Sequence, residues 1–184
     1  MIKHTVFALF LGLLIFFLYL AQYLGAFRSV TIGIENQNEM TLLYQEHFGP
    51  YHKIVPVIEK IEKAMKEKNL DCSLSFGEYL DNPRTIEEGR LRSNGGCIVK
   101  KEDFEKVTEL LKSEFKDFKL KTRPAGRYTI AHFEGSPGIG PMKVYPKVEE
   151  FIKENQLTLD GPTLEIYQVH DSKTMSTVYY FPIK

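Results

Sequence analysis

Two stretches of this chain carry the same plan, and that duplication limits the folds open to it. The first, LLYQEHFGPYHKIVPVIEKIEKAMKEKNLDCSLSFGEYLDNP, starts near Leu42; the second, YTIAHFEGSPGIGPMKVYPKVEEFIKENQLTLDGPTLEIYQVHD, starts at Tyr128. Each reads as a strand ending in an aromatic residue and a glycine, then a turn, a Lys/Glu-rich helix and a second strand bearing a tyrosine. Gly49 matches Gly135 and Tyr79 matches Tyr167, with small insertions between them.

Local patterns place the elements. Ile54, Ile58, Ile61 and Met65 form one apolar stripe of a helix. Phe104, Val107 and Leu111 mark a second helix over about 102–114, and Val144, Val148 and Phe151 a third. Ser73–Leu80 alternates as a strand ended by the turn residues Asp81-Asn-Pro83. Gly95–Val99, Leu164–Val169 and Thr177–Pro182 read as further strands. Val30–Glu35 and Thr41–His47 predict a hairpin across residues 36–39, and Phe118–Thr122 and Tyr128–Phe133 another across Pro124-Ala-Gly126. About eight antiparallel strands and three helices give an α+β class. The repeat halves span about 29–99 and 117–184.

Ahead of this domain, residues 5–27 (TVFALFLGLLIFFLYLAQYLGAF) carry no charge. As a helix, 23 residues reach roughly 35 Å, enough to cross a bilayer core of about 30 Å. The segment predicts an anchor over residues 1–28 and a single-pass membrane protein; the alternative is a cleaved signal peptide. Lys3 and the α-amino group before it, against Arg28 after it, lean toward the amino end inside and the domain outside.

Lys and Arg number 24 and so do Asp and Glu, so no basic field marks a nucleic-acid partner. The histidines stand at 4, 47, 52, 132 and 170, with no metal-ligand spacing, and no metal or cofactor is expected. Cys72 and Cys97 either pair in an exported domain or stay as small hydrophobes. Gly135-Ser-Pro-Gly-Ile-Gly140 is glycine-rich, but Pro137 and Pro141 remove amide donors that a phosphate loop needs, so it reads as a loop entering a helix.

Glu165 stands out in Leu164-Glu165-Ile166-Tyr167. Strand alternation puts Glu165 and Tyr167 on one face, and the first repeat has Gly77 at the matching place. If that face is the concave side of the sheet, a carboxylate sits among aromatic rings. Burial would raise its pKa and a cation would restore its charge. That suits recognition of a lipophilic cation.

Several segments together resemble the GyrI-like, or effector-binding, domain family: Phe48-Gly49-Pro50-Tyr51, Gly77-Glu-Tyr-Leu-Asp-Asn-Pro83, Pro124-Ala-Gly-Arg-Tyr128, Gly161-Pro-Thr-Leu-Glu-Ile-Tyr167 and Tyr180-Phe-Pro-Ile183. They cover nearly the whole chain after the anchor. An anchor ahead of such a domain is also similar to the arrangement in animal ER-phagy receptors. The resemblance implies two strand–helix–strand–strand modules related by a pseudo-two-fold, with a ligand cleft between them. It puts the family's pocket glutamate at Glu165, with Tyr79, Tyr128, Phe133 and Tyr167 as aromatic companions and Phe48 and Tyr51 at the rim. The partner it implies is a lipophilic small molecule, amphipathic or cationic. Some relatives hydrolyse strained genotoxins with the pocket glutamate, which makes Glu165 the catalytic residue of an enzyme reading. A third reading is a protein-interaction adaptor at a membrane.

Overall fold

The computed structural model describes residues 2–169 and 175–184; His170 lies outside them. The chain runs α1 (Ile2–Leu24), β1 (Val30–Gln37), β2 (Met40–Phe48), α2 (Val55–Glu67), β3 (Ser75–Tyr79), β4 (Arg92–Val99), α3 (Phe104–Leu111), β5 (Lys119–Arg123), β6 (Gly126–Glu134), α4 (Gly140–Glu154), β7 (Thr163–Val169) and β8 (Met175–Pro182). The α+β class and the eight antiparallel strands are as the sequence predicts.

One sheet holds all eight strands in the order β1-β6-β8-β7-β3-β4-β2-β5. Read outward from the β7–β3 junction, both halves are built alike: second strand, third strand, first strand, then an edge strand. The pseudo-two-fold passes through that junction, where Gly77 faces Glu165 and the flanking pairs are Ser75 with Tyr167 and Tyr79 with Thr163. The glycines matched in sequence also keep matching roles. The Gly49 amide donates to the Leu91 carbonyl (2.8 Å), and the Gly135 amide to the Met175 carbonyl (3.0 Å).

The two expected hairpins are not formed. β1 pairs with β6 instead of β2, and β5 pairs with β2 instead of β6. The chain does turn at residues 38–39 and 124–125, but each turn crosses from one half to the other. Turn residues specify where a chain bends, not which strand it then lies against. A two-residue link reaches roughly 11 Å at most, so it can join opposite ends of the strand order only if the sheet curls. The face away from the helices closes accordingly: Leu42 and Phe76 pack with Leu164, Ile166 and Tyr180. On that face Arg123 of edge strand β5 donates to the Pro162 carbonyl (3.1 Å) and lies 5.1 Å from the Tyr128 ring centre.

The convex face carries the helices. α2 buries Ile58, Ile61 and Met65, and the latter two join Leu43, Cys97 and Val107 in one core. α4 seats Val144 and Val148 on Ala131, Phe133, Tyr179 and Phe181. Each such side chain contributes about 1.5–3 kcal/mol by leaving water. Cys72, in the α2–β3 connection, and Cys97 of β4 form a disulfide with their Cα atoms 5.4 Å apart, which settles the choice left open by the sequence.

Candidate functional site

Alternation along the central strands sends Glu165 and Tyr167 of β7, Gly77 and Tyr79 of β3, and Tyr179 of β8 to the helix-bearing face, since Glu165 is in register with both Gly77 and Tyr179. The expected concave setting is therefore corrected: Glu165 lies on the convex face, in the strip between α2 and α4. It is 3% exposed.

Three tyrosine hydroxyls organise it. Tyr145 donates to one carboxylate oxygen of Glu165 at 2.9 Å, and Tyr167 to the other at 3.1 Å. The Tyr79 and Tyr167 hydroxyls are 2.8 Å apart. Because Tyr167 spends its proton on Glu165, Tyr79 must donate to Tyr167, and the chain of O–H bonds converges on the carboxylate. Gly77 makes room for it: a Cβ there would stand 2.8 Å from the Tyr79 hydroxyl and 3.0 Å from that of Tyr167. Gly140 does the same for Tyr179, whose hydroxyl would lie 2.2 Å from an added Cβ. That close approach brings the first turn of α4 down and puts Tyr145 over Glu165.

Burial pushes the Glu165 carboxyl up to about 7, and the bonds from Tyr145 and Tyr167 keep it from rising further. Burial and the neighbouring carboxylate raise the Tyr145 and Tyr167 hydroxyls well above the usual phenol value. Among the described residues no cationic group acts on Glu165. The site is a carboxylate poised between charged and neutral, walled by phenol rings and holding no positive charge of its own.

The other residues expected here divide by geometry. The Tyr51 ring meets Tyr79 edge-on at 4.7 Å, and its hydroxyl bridges the Asp81 backbone, donating to the carbonyl at 2.7 Å and accepting from the amide at 3.0 Å. Phe48 is 67% exposed and touches no member of the tyrosine chain in the ring contacts described. Phe133 is buried in the α4 core. Tyr128 is corrected: it lies on the opposite face, its hydroxyl donating to the Pro124 carbonyl at 2.9 Å and its ring against Tyr180. Two neighbours escaped the sequence reading. Tyr145 follows Val144 on α4, at the flank of the apolar stripe that faces the other module, and Tyr179 shares the strand phase of Thr177. Each position was a usable signal. No three His, Cys, Asp or Glu side chains among the described residues gather as metal ligands.

Comparison with solved structures finds the same fold. The EcmrR C-terminal domain matches with TM-score 0.61 at 14% identity, over 84% of this chain and 98% of that one. The SAV2435 structure bound to tetraphenylphosphonium matches with TM-score 0.54 at 14% identity, over 84% and 94%. A hydrolase from Listeria innocua matches with TM-score 0.51 at 15% identity, over 89% and 98%. No curated protein matches the sequence significantly. The profile of the GyrI-like small molecule binding domain matches residues 31–184, and the chain belongs to that family.

Proposed function

We propose that this protein is a membrane-anchored receptor for a lipophilic, cationic small molecule, with residues 1–28 as the anchor, 29–184 as the binding domain and Glu165 as the charge it recognises. One observation carries the reading: a buried carboxylate at the junction of the two halves, ringed by Tyr79, Tyr145 and Tyr167 and without a cation among the described residues. A ligand with delocalised positive charge would supply that partner and stack on the phenol faces. A relative of the same fold was solved with tetraphenylphosphonium, a ligand of this chemical class.

The anchor rests on α1, long and apolar enough to cross a bilayer and exposed along its candidate span. The Cys72–Cys97 disulfide supports a domain on the oxidising side of that membrane, in agreement with the charges flanking α1.

Titration of full-length protein in lipid nanodiscs with tetraphenylphosphonium tests the reading. Glu165→Gln keeps shape and removes charge, and is expected to weaken binding by about 1–3 kcal/mol. Equal affinity for the two proteins would overturn the cation reading. A second reading, general-base hydrolysis by Glu165, draws on the same carboxyl, which titrates near 7 where a general base works best. Product formation from an electrophilic substrate, abolished in Glu165→Gln, would favour it.

A further inference from the structure

The end of α1 is not a loose tether. The Leu24 carbonyl accepts from the Ser136 amide at 3.0 Å. The Lys143 ammonium donates to the carbonyls of Gly25 (3.4 Å), Ala26 (2.6 Å) and Arg28, so a cation sits at the negative end of the helix dipole. Arg28 pairs with Glu134 at 2.8 Å. Gly25, buried and at φ +85°, lies so close that a Cβ there would be 3.0 Å from Gly135 Cα. The loop between β6 and α4 is thereby held at the depth where the apolar helix ends.

That loop suits the depth. Residues 135–142, Gly-Ser-Pro-Gly-Ile-Gly-Pro-Met, carry no charge, between Glu134 and Lys143. Met142 is 77% exposed and the nearby Phe27 66%. Five of its backbone amides find acceptors within the protein. Gly135 donates to Met175, Ser136 to Leu24, Ile139 and Gly140 to the Ser136 carbonyl, and Gly138 to the Ser136 hydroxyl. Pro137 and Pro141 have no N–H to satisfy. Satisfied donors lower the cost of entering a low-dielectric layer.

We propose that loop 135–142 and the first turn of α4 are seated in the interfacial layer of the bilayer, with Met142 and Phe27 among lipid headgroups and upper acyl chains. The proposal rests on α1 being a membrane span. It adds that the binding domain lies on the membrane in one fixed attitude. Strand register makes Phe48 the internal control: it lies one residue beyond the level of Tyr79, at the end of β3 opposite Ser75, whereas Glu134 lies one residue beyond the level of Ser75, traced through β8 and β7.

The test uses full-length protein in phosphatidylcholine vesicles, with an environment-sensitive fluorophore on Met142→Cys or Phe48→Cys and the native disulfide left oxidised. Lipids carrying a shallow doxyl quencher are expected to quench the label at 142 several-fold more than the label at 48, and aqueous iodide the reverse. Lys143→Gln, which opens the clamp, is expected to lower lipid quenching at 142 while the protein stays in the vesicles. Equal quenching at 142 and 48 in protein that resists carbonate extraction overturns the seating and leaves the anchor intact. Lipid quenching at 142 that persists undiminished in Lys143→Gln overturns the clamp as its cause. Release of the protein by carbonate overturns the anchor and the seating together.

Discussion

Tyr79 and Tyr167 occupy equivalent positions in the two halves of the sheet, and their hydroxyls meet 2.8 Å apart beside Gly77. One symmetry-related pair thus becomes asymmetric in use. On the face the two tyrosines share, only Tyr167 has a carboxylate two residues before it on its own strand; the matching place before Tyr79 is the glycine. The duplicated sheet supplies two like walls, and one substitution between repeats sets charge on one side and space on the other.

Gly77→Ala tests that arrangement. The added methyl would overlap both hydroxyls, which end stiff rings and cannot simply swing aside. The variant is expected to lose about 1–3 kcal/mol of stability, the range for overpacking, measured by urea unfolding. Wild-type stability in Gly77→Ala would mean the hydroxyl pair contributes little.

Glu165 gives the fold a pH signature. Its carboxyl titrates near 4.5 when unfolded and is pushed up to about 7 when folded. Between those values the folded state holds a proton that the unfolded state has lost, so its contribution is full below about 4.5 and lost as pH rises through 7. The loss is about 3 kcal/mol. Glu165→Gln lacks this dependence, so it should be the more stable protein at pH 8 relative to its standing at pH 5. A stability difference that does not change with pH would contradict the burial of this group.

Tyr145→Phe removes one of the two donors that hold the Glu165 pKa down. The carboxyl is expected to titrate higher in this variant, followed by its carbon-13 NMR shift. Tyr79→Phe, whose hydroxyl reaches Glu165 only through Tyr167, should move it less. The opposite order would mean that the direct bond is not the stronger influence.

The Cys72–Cys97 bond closes a loop of 25 residues in separation. In the chain-entropy view, reducing it costs about 3 kcal/mol. A melting temperature that falls clearly in dithiothreitol, and does not in Cys72→Ser, would confirm that the bond contributes to stability.

What the sequence conveyed and what it hid divide along a physical line. The α2 stripe from Ile54 to Met65, the strand phase of Glu165 and its match to Gly77 are local periodicities, and each reappears in the fold. The partners of β1 and β5 are not local. Residues 36–39 and 124–126 show good turn chemistry, yet the strands on either side find their neighbours in the opposite half, where the curled sheet buries Arg123 and Leu42 together with β7 and β6. Tyr145 was hidden for a similar reason: only docking of α4, permitted by Gly140, brings its hydroxyl to Glu165. The face on which Glu165 lies also depended on the direction of curl, which strand alternation does not encode.

The exchange of edge strands has a consequence for biosynthesis. β1 leaves the ribosome directly after the apolar helix α1, but its one neighbour in the sheet is β6, whose Gly126 pairs with Gln37. At about 5–20 residues per second, translation of the intervening chain takes on the order of ten seconds. By the end of that interval the first module has its helix and three of its strands, while Val30–Gln37 still waits with neither edge paired. An unpaired edge is a template for association with another chain. The vulnerable moment of this protein therefore falls during translation, just after α1, and it closes only when β6 emerges and takes β1 into the sheet.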